Sequence, residues 1–463
     1  MDPARGNGPA SVTAHPVTST PSTPGPSTPG PATPGTAPAG SGPGSLAAGA
    51  DLAATALAGL LGSGAESGRI AERGDEVARA VGGRARVLLG WTESSVTVTG
   101  SGGVIERRRF SAPPMAIGMN RVMAIDAAVN DLAAGRRSLS ATVAAVDRAR
   151  TQPPANVFLF AAACAVGAVA LAVIFGIDHW PGVVAIAIAA AGGAFLRRGI
   201  ARLGGSGFWQ AGAAALLAGV IGGLAADLDV SSPLRLIAVC PCMVLVPGPH
   251  LLNGSLDLAA GRIPLGLARL TFAAVTLLAI ATGLMLGLTA TGAGLVLDPV
   301  GREIPIWSDA LAGGVVAICY GVFYSAPLRI LAWPFAVGAA VHALRWVALY
   351  QWHLEPWVGA GLACLAAGFI LLPVSRRLQL PFSAIGFASV VSLMPGLLVF
   401  RALAALSMLQ TTTGADADLL IRSAINDLNV AMLTVVAMAI GFIAPSSFYG
   451  FLRAARERRS AAT

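Results

Sequence analysis

Ten long apolar stretches run from Val157 to about residue 450, and they constrain the fold more than any other feature of the chain. Each approaches the roughly 20 residues that an α-helix needs to cross a hydrocarbon core about 30 Å thick. In lipid, backbone polar groups must be satisfied within the segment, so these stretches are expected to be helices. The sequence therefore predicts an all-α polytopic membrane protein with ten transmembrane helices, near residues 157–176, 182–200, 208–226, 233–252, 264–288, 308–326, 328–349, 357–374, 382–406 and 426–450.

Charge is scarce and arranged by loop. Only 12% of residues are charged, against about 25% in soluble domains. The net charge of +8 comes from arginine, because the chain contains no lysine. Arginines such as Arg198 and Arg453 follow even-numbered stretches, whereas acids such as Asp227 and Glu355 lie in the other loops. The positive-inside rule then places both termini in the cytoplasm, with the lipid bilayer as partner and no nucleic acid.

Two of the apolar stretches are interrupted by proline and glycine. Pro247-Gly248 breaks the fourth stretch and Pro395-Gly396 breaks the ninth. A proline inside a helix removes a hydrogen-bond donor and forces a kink or a stop. Within a membrane, freed backbone groups are tolerated only beside protein or a watery cavity, so these breaks indicate a transport site.

The two breaks lie at equivalent positions of an internal repeat. They are 148 residues apart, and each follows another proline, Pro233 or Pro381, by 14 residues. Five stretches per half means that the halves cross the membrane in opposite directions. The sequence thus predicts a 5+5 inverted repeat, with halves at 157–288 and 308–450 and broken helices facing each other near the midplane.

The segments outside the membrane have a different composition. Residues 1–45 are rich in Pro, Ser, Thr and Gly and are expected to be a disordered tail without a signal-peptide core. Residues 46–150 predict a small cytoplasmic α+β domain, and residues 451–463 a basic cytoplasmic tail. The domain is expected to contain helices at 45–61, 66–80, 115–134 and 139–150 and strands at 86–91, 95–99 and 104–110.

Polar residues after the first break are candidates for binding substrate or moving protons. Asp257 could hold a substrate ammonium group or a coupling proton, because ionisable groups at membrane depth are usually functional. Its structural alternative is an ion pair with Arg262. Arg269 could hold a carboxylate bidentately, or it could extend to the membrane boundary. His250 could relay protons, or it could be a structural imidazole at the break.

The remaining candidates also have structural alternatives. Asn253 and Ser255 could hydrogen-bond substrate or the broken backbone. Pro247, Gly248, Pro395 and Gly396 are expected to present backbone groups to substrate. His342 is a second candidate for relaying protons, but a structural role for its imidazole is favoured. Arg401 is expected to extend outward.

Other chemistry finds little support in the sequence. Cys240-Pro241-Cys242 lacks a second ligand pair nearby, so buried thiols are favoured over a metal or redox site. No phosphate-binding loop occurs, so ATP-driven transport is not expected. Glu66, Ser67 and Arg69 could suggest a membrane-anchored hydrolase, but residues 46–150 contain no histidine to act as base. We expect no enzymatic activity, no catalytic residue, no metal and no cofactor.

Three motifs together resemble the threonine/serine exporters of bacteria. They are L-L-G-S-G-A-E-S-G-R-I (Leu60 to Ile70), L-V-P-G-P-H-L-L-N-G-S-L-D-L-A-A-G (Leu245 to Gly261) and S-L-M-P-G (Ser392 to Gly396). The family usually carries threonine where Ser67 stands, so the hydroxyl is kept. The resemblance covers roughly residues 46 to 452.

The resemblance implies export of threonine and serine across the inner membrane, driven by the proton motive force. Split relatives associated with succinate supply a dicarboxylate as the rival substrate. Asp257 and Arg269 together would match a zwitterionic amino acid, whereas a dicarboxylate would require two cations and no nearby acid. A homo-oligomer stays an open alternative.

Overall fold

The computed structural model describes residues 43–227, 236–294, 304–378, 382–410 and 412–462. It divides into two compact units. The first comprises the chain up to Pro114 together with Ala124–Gln152, and the second comprises Met115–Met123 together with the chain from Pro153 onward. Residues 1–42 of the tail predicted at 1–45 lie outside the described residues, as do the repeat prolines Pro233 and Pro381. The assignment of residues 43–45 to the tail is wrong, because they begin the helix Pro43–Gly62.

The N-terminal unit has the predicted order of helices and strands. The strands form one antiparallel sheet in the order β1-β2-β3, with β2 central and its Val96 and Val98 fully buried. The element bounds agree with the sequence prediction to within about four residues. They are α1 (Pro43–Gly62), α2 (Ser67–Ala80), β1 (Gly83–Leu88), β2 (Ser94–Gly100), β3 (Ile105–Phe110), α3 (Met119–Ala133) and α4 (Leu139–Arg150).

Helix α1 is the core of this unit. Its residues from Gly44 to Gly62 are long and apolar enough to cross a membrane. They pack instead against α2, α4, β2 and β3. The leucines of the predicted apolar face, Leu52, Leu57, Leu60 and Leu61, are at most 1% exposed. The apolar surface of α1 is therefore used to build a domain core.

A buried ion-pair cluster lies beside this core. The carboxylate of Asp126 on α3 is 2.7 Å from Nε of Arg73 and 3.3 Å from Nη2 of Arg69. Arg73 also contacts Glu76 and the side-chain oxygen of Asn130. Asp126 and Arg73 are 0% and 2% exposed. The Arg69 side chain, considered above for a hydrolytic site, thus takes part in a structural ion pair.

We expect Asp126→Asn to destabilise the N-terminal unit, because it would remove one of the two carboxylates that contact the buried Arg73. Removing one partner of a buried ion pair costs about 3–5 kcal/mol, and Glu76 remains as a partner, so we expect the lower end of this range and about a hundredfold faster amide exchange in α2 and α3. Hydrogen-exchange mass spectrometry on the full chain measures this. Asp131→Asn is the matched control, since Asp131 pairs with the exposed Arg136 and such surface pairs contribute about 0–1 kcal/mol. Equal exchange in both variants would contradict a stabilising role for the cluster.

The second unit is a bundle of long apolar helices. Across the described residues, nine helices are long and apolar enough to span a membrane, or up to eleven if each of two bent pairs counts as one span. One of the nine is the α1 segment of the N-terminal unit. The helices of this unit are α5 (Val157–Ile174), α6 (Trp180–Arg202), α7 (Gly207–Asp227), α8 (Leu236–Met243), α9 (Gly248–Ala259), α10 (Ile263–Ala290), α11 (Ile306–Phe323), α12 (Ala332–Tyr350), α13 (Pro356–Leu378), α14 (Phe382–Val390), α15 (Gly396–Met408) and α16 (Ala415–Ala462), with 3₁₀ turns at Leu328–Ile330 and Val391–Leu393.

The last helix is longer than the tenth predicted span. Helix α16 contains 48 residues. It begins well before the predicted span at 426–450 and continues through the basic segment 451–463 as far as Ala462. The part from Ala415 to Tyr449 has the hydropathy of a membrane span.

Glycines allow close helix packing at corresponding places in the two predicted halves. Helix α7 packs on α10, and α13 packs on α16, which are the predicted third and fifth spans of each half. A methyl group built on Gly283 would lie 2.2 Å from the carbonyl oxygen of Gly212, and one on Gly441 would lie 2.6 Å from that of Gly361. Small residues of this kind let helix backbones approach each other in membranes.

Candidate functional site

The two predicted breaks are sharp bends of similar geometry. Helices α8 and α9 meet at 51°, and the α14 and α15 segments meet at 43°. Pro247 has φ −79° and ψ 57°, and Pro395 has φ −80° and ψ 43°. In each, the glycine N–H donates to the carbonyl two residues earlier, at 2.8 Å, from Gly248 to Val246 and from Gly396 to Met394. Each proline is therefore the centre of a tight turn of the inverse γ type.

A neighbouring helix donates a hydrogen bond to the Met243 carbonyl at the first break, which also accepts the Val246 N–H at 3.2 Å. Pro247 has no N–H to donate to the carbonyl four residues earlier, at Met243. The buried Tyr320 of α11 donates its hydroxyl to that carbonyl at 2.9 Å. The break is therefore stabilised by a side chain from the other predicted repeat half.

The two breaks contact each other reciprocally. A methyl group built on Gly248 would lie 2.9 Å from Cγ2 of Val391 and 3.6 Å from Cγ of Met394. One built on Gly396 would lie 2.8 Å from Cγ2 of Val246. Val246 and Met394 are themselves 148 residues apart, like the two glycines. Gly248 thus meets Met394 and Gly396 meets Val246, two residues that have the same spacing as the glycines themselves.

The helices that follow the breaks cross between the halves in the same way. Helix α9 packs against α16, and α15 packs against α10. Each second segment therefore lies against the predicted fifth span of the opposite predicted half. The structure brings the Pro247-Gly248 and Pro395-Gly396 breaks together.

Asp257 lies in a buried network with two arginines. Its Oδ2 is 3.1 Å from Nη1 of Arg269, and its Oδ1 accepts a hydrogen bond from Nε of Arg262 at 2.8 Å. Asp257 and Arg269 are each 1% exposed. The predicted alternative in which Asp257 pairs with Arg262 is confirmed. The guanidinium of Arg269 is held by Asp257, and the depth of this pair in the membrane stays a prediction.

A second buried ion pair follows the second break. Nε of Arg401 on α15 is 3.1 Å from Oδ2 of Asp427 on α16. Arg401 is 8% exposed, so the expectation that it extends outward is wrong. Arg401 follows Pro395 by six residues, as Asn253 follows Pro247. A comparison of polar positions between the two predicted halves would therefore have indicated that Arg401 is a candidate for a buried polar position.

The other polar candidates after the first break are also buried. His250 is 6% exposed and its ring centroid lies 4.8 Å from that of Phe272 on α10. Asn253 is 3% exposed on the same helix. The Ser255 hydroxyl donates to the carbonyl of Leu251 at 2.9 Å, so it satisfies its own helix, as the structural alternative proposed.

No cluster of three or more His, Cys, Asp or Glu side chains that could hold a metal ion occurs in the described part of the chain. Cys240 and Cys242 are fully buried free thiols in α8, packed within the apolar core. They act there as small apolar side chains.

Long apolar helices and two bent helices that meet break to break define this unit as a multi-pass membrane protein. Secondary transporters use such broken helices at their substrate sites. The protein is thus of the class of membrane transporters rather than a known enzyme. Comparison with known proteins identifies its family.

Residues 51–291 match a family profile described as "Putative threonine/serine exporter". Residues 309–448 match a second profile, described as "Threonine/Serine exporter, ThrE". The chain belongs to the threonine/serine exporter family. It is also similar to a Mycobacterium tuberculosis (strain ATCC 25618 / H37Rv) protein named "Probable threonine/serine exporter", with 26% identity over 189 residues. That match covers 38% of this chain and about a third (36%) of the relative. The comparison with solved structures gave no significant match.

Proposed function

We propose that this protein exports threonine and serine from the bacterial cytoplasm across the inner membrane, as a secondary transporter driven by the proton motive force. The observation that carries the proposal is the reciprocal contact between the Pro247-Gly248 and Pro395-Gly396 breaks. Facing breaks at an internal repeat are the usual place of a substrate site in such transporters. Threonine and serine are the substrates named in the descriptions of the family.

The proposed architecture has ten spans in a 5+5 inverted repeat, with halves at 157–288 and 308–450. The third-on-fifth helix packing in both halves and the reciprocal breaks support it. Helix α1 then belongs to a cytoplasmic domain, and the arginine-rich loops place both termini inside. Rocking of one half against the other would expose the site to each side in turn.

The proposed substrate site lies around the breaks and the buried charges after them. Pro247, Gly248, Pro395 and Gly396 supply backbone groups, while Asn253, Asp257 and Arg269 supply side chains. A zwitterion can insert between Asp257 and Arg269, with its ammonium on the carboxylate and its carboxylate on the guanidinium. No net charge then enters the membrane. A dicarboxylate would bring two negative charges beside Asp257, so the charge pattern favours the amino acid.

Efflux from loaded cells tests the proposal. Cells that take up a threonine-containing dipeptide and hydrolyse it should lose threonine faster when they contain this protein. A protonophore should abolish the difference, because it collapses the gradient that drives antiport. Faster loss of succinate alone would move the substrate to the dicarboxylates. No change for either solute, with the protein verified in the membrane, would contradict export.

A further inference from the structure

A buried chain of three polar side chains leads to the second break. Nδ1 of His342 on α12 is 3.2 Å from Oδ1 of Asp309 in the first turn of α11. Its Nε2 is 2.7 Å from the hydroxyl of Ser392, in the turn that precedes Pro395. His342 is 0% and Asp309 4% exposed. The proposed substrate site around Asp257 uses none of these three side chains.

The surrounding helices are shaped to hold this imidazole. A methyl group built on Gly313 would lie 2.3 Å from Cδ2 of His342, so only glycine leaves room for the ring there. Gly313 is one turn after Asp309 on α11. The carboxylate and the space for the ring are therefore on the same face of α11.

Few other charges act on the ring. Arg345, one turn along α12, interacts electrostatically with Asp309. Helix α14 carries no ionisable residue. The remaining ionisable residues of the elements packed on α12 are Cys319 and Tyr320 of α11, Arg329 of the 3₁₀ turn, and Cys364, Arg376 and Arg377 of α13. Asp309 is thus the carboxylate in contact with His342.

We infer that His342 is the group that carries the coupling proton, and that Ser392 transmits its protonation to the second break. The inference rests on the proposed proton-driven export. The neutral ring donates from Nδ1 to Asp309, and its Nε2 accepts the Ser392 hydroxyl hydrogen. When Nε2 takes a proton, it becomes a donor to Ser392 Oγ, and the hydroxyl hydrogen must turn to another acceptor. One proton therefore reverses the hydrogen bond at the break.

The position of Ser392 connects this change with both breaks. Its neighbour Val391 is the residue that Gly248 meets at the first break. A shift of the Val391–Leu393 turn therefore acts directly on the contact between the halves. In the proposed topology α11 begins at the outer face, so Asp309 lies toward the side from which protons enter the cell.

The rival proton carriers fit this role less well. Asp257 is already paired with two guanidinium groups, those of Arg262 and Arg269. The His250 ring packs on the Phe272 ring. Asp309, His342 and Ser392 also have the residue types of a serine-hydrolase triad, which the experiment below separates from a relay.

Two assays on the full chain in liposomes test the inference. The first is exchange of labelled for unlabelled threonine at equal pH, which needs substrate movement but no net proton movement. The second is net threonine transport driven by an imposed pH gradient. His342→Gln should keep exchange, because the ring is replaced by a polar side chain of similar reach. It should lose gradient-driven transport by about tenfold or more, within the range of typical coupling between two sites.

Asp309→Asn supplies an independent readout if His342→Gln impairs both assays. The change takes away the carboxylate that Nδ1 of His342 contacts at 3.2 Å. The pH midpoint of gradient-driven transport should therefore shift from that of the unaltered protein. His353→Gln, in an exposed loop, is the matched control and should change neither assay.

The outcomes separate the two proposals. Absence of both activities in the unaltered protein would overturn proton-driven export, and this inference with it. Export stands and the inference is overturned if His342→Gln keeps full gradient-driven transport, or if Asp309→Asn leaves the pH midpoint unchanged. Loss of coupling in His250→Gln but not in His342→Gln would overturn it too. Labelling of Ser392 by a fluorophosphonate would show that Ser392 is an activated nucleophile, and it would overturn the proton relay.

Discussion

Alanine at Gly248 should reduce threonine efflux by about tenfold or more while the protein still inserts into the membrane. The new methyl group would lie 2.9 Å from Cγ2 of Val391, closer than van der Waals contact allows. Valine is stiff at χ1, so the backbone of one break must move. Overpacking of this kind costs about 1–3 kcal/mol, and each 1.4 kcal/mol corresponds to about a factor of ten. Efflux from dipeptide-loaded cells, normalised to the amount of protein in the membrane, measures it.

Removing the opposing methyl groups should restore the activity. Val391→Ala takes away the atom that the new methyl would meet, so Gly248→Ala/Val391→Ala should regain most of the loss. The repeat predicts the same for Gly396→Ala with Val246→Ala, because a methyl on Gly396 would lie 2.8 Å from Cγ2 of Val246. Gly199→Ala on α6 is the control, since nothing lies within 4 Å of its built methyl. Full activity of Gly248→Ala alone would contradict a functional contact between the breaks.

Asp257→Asn should abolish efflux and strongly destabilise the membrane unit. The change leaves the guanidinium of Arg269 buried without its carboxylate partner at 3.1 Å. Removing one member of a buried ion pair costs about 3–5 kcal/mol, which is a large part of the stability of a typical domain. Thermal unfolding in detergent and efflux in cells measure the two effects. Arg262→Gln is the control and should be mild, because the Arg262 side chain is 36% exposed.

Neutralising both partners separates a structural role from substrate binding. Asp257→Asn/Arg269→Gln leaves no unpaired buried charge in this pair, so the melting temperature should recover much of its loss. If the pair binds the zwitterion, efflux should stay absent in this double variant although its stability is largely restored. Efflux that recovers together with stability would show that the pair only holds α9 against α10.

Much of the fold could be predicted from the sequence because the deciding interactions are local. A helix in lipid satisfies its own backbone, so hydropathy alone placed most of the long helices to within a few residues. Helix α16 is the exception, since it begins at Ala415, 11 residues before the predicted span at 426–450. Proline breaks are local too, and Pro247 and Pro395 bend their helices where predicted. Helix α1 shows the limit of this reasoning. Its hydropathy also suits a membrane span, and its assignment to a domain depends on α2, α4 and the sheet that packs on it.

The sequence by itself determined the helices, the breaks, the 148-residue repeat and the polar residues near the first break. Only the tertiary structure decided the partners of those polar residues, because helix neighbours come from distant parts of the chain. Arg269 turned out to be held by Asp257, and Arg401 by Asp427, 26 residues further on. His342 contacts Asp309 and Ser392, 33 and 50 residues away. In a low-dielectric interior a charge is stable only beside its partner, so the packing of the helices decides which polar groups can meet substrate or proton.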